Sequence, residues 1–219
     1  TTCGSSESKS LYIEKNENYK YTVRTIAKER LQSKFWNKNQ IGDGSILTKV
    51  ISAIEIKENN LLQWDNRYGE SGKQHKIFIN ALQNRTNLLL YEQLFYDFYT
   101  SKSKDNEIFN RFTTITTDYR LISYFFFIKY ENKLPIVPRT FDEIFELLSI
   151  DFKASGNCNF DNYSEYNGII KQIQNYLIQE KDITTTELLD AHSFLWVIGP
   201  HINLRKQKEK PEKKKLKHE

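Results

Sequence analysis

Asp43, an interval of eleven residues, then Glu55-x-Lys57: these residue types at this spacing could do metal-dependent phosphodiester chemistry. The two carboxylates would hold Mg2+, which polarises the scissile phosphate and helps make hydroxide, and the lysine would support the nucleophile or the developing charge. The chemistry requires the stretch SAIEIKENN, residues 52–60, to be a strand. Alternation then puts Glu55 and Lys57 on one face, with Ile54 and Ile56 on the other. On a helix Glu55 and Lys57 point about 200° apart and no site forms.

The segment ILTKVISAIEIK decides for the helix. Its apolar positions 46, 47, 50, 51 and 54 follow one helical stripe over two turns. The turn QIGDGS precedes it, where Asp43 or Ser45 can cap. The β-branched residues argue the other way, but weakly. Asp43-x11-Glu55-x-Lys57 resembles the PD-(D/E)XK nuclease superfamily, whose core needs a mixed sheet. No partner strands are legible here. A Mg2+-dependent nuclease using Asp43, Glu55 and Lys57 is therefore carried as an alternative, and the first reading assigns no catalytic residue and no cofactor.

Other candidate surfaces are polar. In LLQWDNRYGESGKQHK, Trp64, Arg67 and Tyr68 lie close to Lys73, His75 and Lys76. Aromatic planes interleaved with Arg and Lys suit stacking on bases and contact with phosphates. A Trp in such a stretch serves equally well as a plug that holds a loop down, and a solvated basic cluster accounts equally for Lys73, His75 and Lys76. Asp190, His192 and Ser193 are neighbours on one expected helix, point in different directions and cannot form a triad among themselves. His192 is expected in a packed face with Leu189 and Trp196. In NCNFDNY, Asn157, Asn159, Asn162 and Tyr163 stand at a helix start, where free N–H groups attract anions; a capping loop is the simpler account. Gly-rich phosphate loops, CxxC pairs and HExxH are absent, which argues against the standard nucleotide and zinc enzymes.

The elements that must carry these residues are helices, about eight, giving an all-α fold. Helical spacing is expected in 21–36, with Arg24, Lys28 and Lys34 on its polar face, and in 46–57. It recurs in KIFINALQ, 87–100, NEIFNRFTTI and YRLISYFFFIKY, the last capped by Asp118 or Thr117. FDEIFELLSI is expected to be capped by Thr140, with Glu143 at the third position of the box. A long helix runs from Asp161, and a final one is capped within Thr184–Thr186 and closed by Gly199–Pro200. An extended proline connection near 134–139 divides possible halves 11–133 and 134–204 of a helical domain 11–204.

Composition bounds the rest. The 219 residues are 38% hydrophobic and 14% aromatic, a globular balance for one good-sized core. The net charge of +4 is misleading: residues 205–219 hold eight Lys/Arg against three Asp/Glu, and the remainder is close to neutral. The tail is expected to be solvated, adding salt-sensitive attraction to phosphate, and residues 1–10 a disordered leader. The absence of Met points to a processed chain or a fragment. TTCGSSESKS resembles the surroundings of a lipoprotein cysteine, but no apolar run precedes Cys3 in this sequence. Two isolated cysteines, Cys3 and Cys158, fit a reducing cytoplasm rather than a disulfide framework or a zinc site. No apolar run approaches the length of a membrane span.

Four segments taken in order, NNLLQWDNRYG, LISYFFFIKYENKLPIVPRTFDEIFELLSI, GNCNFDNYSEYNGIIKQI and LLDAHSFLWVIG, resemble poorly characterised bacterial regions of restriction-type and defence proteins. The resemblance covers roughly residues 45–200. It implies a targeting or interaction module, with catalysis supplied by another domain or chain. Together with the Trp64–Lys76 surface and the basic tail, it gives the expectation of a cytoplasmic module of such a system with nucleic acid as its partner. A protein-interaction or scaffold domain is the alternative, since Tyr and Phe suit partner surfaces.

Overall fold

The computed structural model describes residues 17–181 and 187–209, without the side chains of Tyr68, Glu180, Lys181 and residues 200–209. Nine α-helices and no strand occur among them. They are α1 (Tyr19–Leu31), α2 (Ser45–Ile54), α3 (Lys76–Ala81), α4 (Arg85–Thr100), α5 (Asp105–Thr113), α6 (Tyr119–Lys129), α7 (Pro138–Leu147), α8 (Phe160–Lys181) and α9 (Leu188–Glu209). The leader 1–10, Thr184–Thr186 and residues 210–219 lie outside the described residues.

The hydrophobic stripes do what helical spacing predicts. On α4, Leu88, Tyr91, Leu94, Phe95 and Phe98 are all buried. On α2, Ile46, Leu47, Val50 and Ile54 are buried against α1 and α4. Helix α6 differs: Tyr119 and every residue from Leu121 to Ile128 are buried, so it is covered on all sides and forms the axis of the fold. Around it many of the aromatic pairs are edge to face, as in Phe95–Phe125 at 4.8 Å and Phe78–Phe125 at 5.8 Å between ring centroids. A single hydrophobic core runs from Val23 to Leu195 and includes residues from both sides of the proline connection.

Caps fix the starts of several helices. Asp118 accepts from the Leu121 amide and Asn84 from the Asn87 amide. At α2 the cap comes from elsewhere. The fully buried carboxylate of Glu92, on α4, accepts from the amides of Gly42, Gly44 and Leu47. Asp43 accepts only the neighbouring Ser45 amide. Gly42 and Gly44 have φ of 93° and 89°, the left-handed region that lets the turn wrap around that carboxylate.

Several boundaries depart from expectation. Helix α1 ends at Leu31 with Gln32 left-handed, rather than continuing to 36. Arg24 is on its buried face, not its polar one. Helix α7 starts at Pro138, whose fixed φ and missing N–H suit the first helical position, so Thr140 lies inside the helix and caps nothing. The extended connection therefore ends at Val137. Helix α9 passes straight through Gly199–Pro200. A Cβ at Gly199 would sit 2.9 Å from Ile144, so this glycine is there for close approach to α7 and not to end a helix. The first five residues assigned to the basic tail, 205–209, belong to α9.

The connection Leu134–Ile136 is buried, yet it has no helix or sheet to pair its backbone. Side chains do so instead. Tyr163 donates to the Leu134 carbonyl at 2.8 Å, and Asn167 accepts from the Leu134 amide at 2.9 Å. Ser123 accepts from the Ile136 amide at 3.0 Å. The Pro135 carbonyl accepts from both Tyr166 and His192 Nε2, at 3.0 and 2.9 Å. Replacing Tyr163 by Phe removes one hydroxyl and leaves the Leu134 carbonyl unpaired in the core. We expect a loss of about 1–3 kcal/mol by chemical denaturation; an unchanged midpoint would show that the hydroxyl is dispensable.

Candidate nucleic-acid interface

Asp43 and Glu55 flank α2 at opposite ends. Ten residues of helix put them on the order of 15 Å apart. The strand pair that a PD-(D/E)XK core requires does not occur among the described residues, so the structure does not bring Asp43, Glu55 and Lys57 together. Glu55 is nevertheless not simply solvated. It ends α2, and its carboxylate lies 2.8 Å from Nε2 of His75, which is fully buried. His75 is thus the partner that anchors the 61–75 loop to the end of α2, and not part of a solvated basic cluster. From the other side Arg30 donates to the carbonyls of Ser52 and Glu55.

The expected aromatic-basic surface is largely neutralised from within. Arg67 pairs with Asp65 at 3.2 Å and Lys73 with Glu70 at 2.7 Å. Lys76 opens α3, partly buried, and the side chain of Tyr68 lies outside the described residues. Trp64 is half-buried, packs on the core and donates from its indole nitrogen to the Asn59 carbonyl. Asn59 holds this corner together through its side chain, which donates to the Ile54 carbonyl and accepts the Leu61 amide. A cavity of about 180 Å³ remains beside Trp64, bordered by Asn60, Gln63, Asp65, Arg67 and Arg120.

Asn157–Asn159 forms a capping loop at the start of α8. Asn159 accepts from the Asn162 amide, and Asn162 donates to the Lys153 carbonyl. His192 is fully buried on the same stripe as Leu189, with its ring 5.2 Å from that of Phe141. Its Nε2–H donates to Pro135, which fixes Nδ1 as the acceptor for Lys20 at 3.1 Å. Lys20, also buried, reaches Ser193 at 3.2 Å and pairs with Glu17. Burial pushes Lys20 down to about 8, against the pull of Glu17. Burial also holds His192 well below its ordinary value, helped by the charges of Lys20 and Arg24.

A larger concavity lies elsewhere. A cleft of about 880 Å³ opens between α1, the turn after α6, the middle of α8 and the start of α9. Arg24 and Lys28 enter it from α1, Lys133 from the turn and Lys171 from α8. None of these four is in an ion pair among the described residues. Arg24 is 8% exposed, stacks on Phe127 at 4.1 Å and donates from Nε to the Phe127 carbonyl, while its Nη2 has no partner. Burial lowers its pKa. Lys133 lies over the rings of Phe160 and Tyr163, and Lys171 donates to Gln174. Glu131 and Glu187 are the carboxylates of the lining, and Glu187 accepts from Tyr21. Gly168 is exposed on the α8 wall, and a Cβ there would meet nothing within 4 Å.

These cleft residues come from segments far apart in sequence, and motif spacing does not find them. One signal was present. Lys20, Val23, Arg24, Ala27 and Leu31 share a single helical stripe, so two cations occupy positions where apolar residues belong. Comparison of the chain with protein-family models, curated proteins and solved structures gives no match.

Replacing Glu55 by Ala leaves His75 buried without its partner. We expect a loss of about 1–2 kcal/mol in denaturation experiments, and a loss below half a kcal/mol would contradict the anchoring role. His192 makes stability depend on acid. Its folded pKa lies below its unfolded value near 6.5, so the unfolded chain binds the extra proton. The stabilisation present above 6.5 is lost as pH falls toward the folded value. Denaturation midpoints should drop below about pH 6.5 and do so less in His192→Gln; an equal drop in the variant would assign the acid sensitivity to other groups.

Proposed function

We propose that the chain is a nucleic-acid-binding module that holds a phosphate backbone in the α1–α8 cleft and carries no chemistry of its own. The observation that supports this is the cleft's four unpaired cations facing two carboxylates. Its volume of about 880 Å³ suits a ligand of a few rings or sugar-phosphate units. Lys and Arg contribute sequence-independent attraction to phosphates, and the Thr25 hydroxyl and Asn132 amide add neutral donors at the rim. The resemblance of the segments in 45–200 supports placing such a module in a restriction-type or defence system, working in the cytoplasm beside a catalytic domain or chain. No helix of the described residues is long and apolar enough to cross a membrane.

The scaffold alternative rested on the abundance of Phe and Tyr. Those residues go mostly into the core, and among the described residues Phe35, Leu89, Leu90 and Tyr176 are the large apolar side chains left exposed. That composition gives little reason to expect a broad aromatic partner surface.

The test is fluorescence anisotropy with labelled single-stranded and duplex oligonucleotides at about 50 and about 200 mM salt. Binding should weaken steeply with salt. Lys133→Ala/Lys171→Ala should lower the slope of log affinity against log salt by about 2, roughly 1 per phosphate contact. Gly168→Glu, which adds a carboxylate to the cleft where a Cβ meets nothing, should weaken binding about tenfold or more without loss of fold. No binding at the lower salt, or variants that bind like the wild type, would refute the reading.

A further inference from the structure

The second cavity, beside Trp64, differs from the cleft in chemistry. At about 180 Å³ it is smaller than the ~300 Å³ at which pockets for drug-sized molecules begin, so it has room for one ring system. One wall is Trp64. Its indole N–H is already committed to the Asn59 carbonyl, so it offers an occupant apolar aromatic contact and no donor. The side-chain amides of Asn60 and Gln63 border the cavity and make no hydrogen bond among the described residues; Gln63 is held in place by its backbone, paired both ways with Gln74. Arg120 donates from Nη2 to the Leu61 carbonyl, while its Nε is buried and has no partner. Asp65 and Arg67 pair with each other, so they add polarity without net charge.

An aromatic wall, two uncommitted carboxamides and an unpartnered guanidinium N–H match a flat, uncharged heterocycle whose edge alternates donors and acceptors. A carboxamide presents a donor and an acceptor side by side, the pattern with which Asn and Gln pair with a base edge. Stacking on an indole adds affinity without regard to which base is present.

We propose that this cavity receives a single unstacked nucleobase, either from a bound strand or from a free nucleoside. The inference rests on the nucleic-acid reading for its biological source, but the pocket's chemistry does not depend on the cleft. Holding a base out of its stack is compatible with a module that inspects a strand without cutting it.

The experiment titrates adenosine, cytidine, guanosine and thymidine into the full chain and follows the Trp64 indole N–H resonance, assigned by its loss in Trp64→Phe. These probes carry no phosphate, so the result does not depend on the cleft. At least one nucleoside should give a saturable shift. Asn60→Ala/Gln63→Ala, which breaks no hydrogen bond of the fold, should weaken it about fivefold or more. Lys133→Ala/Lys171→Ala should leave it unchanged. A single-stranded oligonucleotide should bind more tightly than the same strand with abasic positions if the base is taken from a strand; equal affinities assign the pocket to free nucleosides. No saturable shift, or a shift kept at full strength in Asn60→Ala/Gln63→Ala, overturns the pocket. Loss of oligonucleotide binding with the nucleoside shift retained overturns only the cleft.

Discussion

A stretch of backbone without secondary structure crosses the interior, and much of the fold is arranged to satisfy it. Leu134 and Ile136 are at most 1% exposed, and Pro135 between them is buried. Buried amides and carbonyls must be paired, and an extended segment cannot pair with itself. Proline removes one donor; the Leu134 amide and carbonyl, the Pro135 carbonyl and the Ile136 amide are met by Ser123 on α6, Tyr163, Tyr166 and Asn167 on α8, and His192 on α9. Each of these side chains must reach one atom, which fixes the register of three helices against the same segment. The residues just before it, Glu131–Lys133, are thereby set at the mouth of the cleft. Asn167 serves both places, since it holds Leu134 and lines the cleft wall.

The same demand accounts for cations on an apolar stripe. Lys20 and Arg24 lie on the buried side of α1, where apolar side chains would normally be. Lys20 completes the chain Pro135–His192–Lys20–Glu17 and is the donor that the imidazole, held neutral by burial, requires. Arg24 caps the carbonyl of Phe127 near the end of α6 and is offset by the ring it stacks on. Its unpaired nitrogen and the nearby lysines then give the cleft its sign. Charge is bound into the core first and becomes available at the surface as a result.

Helix content was legible because the apolar stripes of α2 and α4 repeat at helical spacing. That periodicity outweighed the β-branched residues of ILTKVISAI. Less legible were features that depend on a distant partner. Glu92 gives no sign in the sequence that it caps a helix 45 residues away, and His75 looks like one of a solvated trio until Glu55 is placed beside it. Gly199–Pro200 reads as a stop; the glycine's purpose, contact with Ile144, exists only in three dimensions. The polar, aromatic and basic character of the stretch 61–76 is legible, but pairing within it cannot be read from residue types alone. The cleft went unread because its cations come from three separate segments.

The most direct measurement is amide hydrogen exchange at Leu134 and Ile136. The account predicts exchange as slow as the central amides of α6, since both N–H groups are buried and bonded to Asn167 and Ser123 and open only when the core opens. Exchange at the rate of the neighbouring exposed residues Glu131 and Asn132 would mean that the segment opens independently of the core. The helices around it, and the cleft they form, would then owe their arrangement to something else.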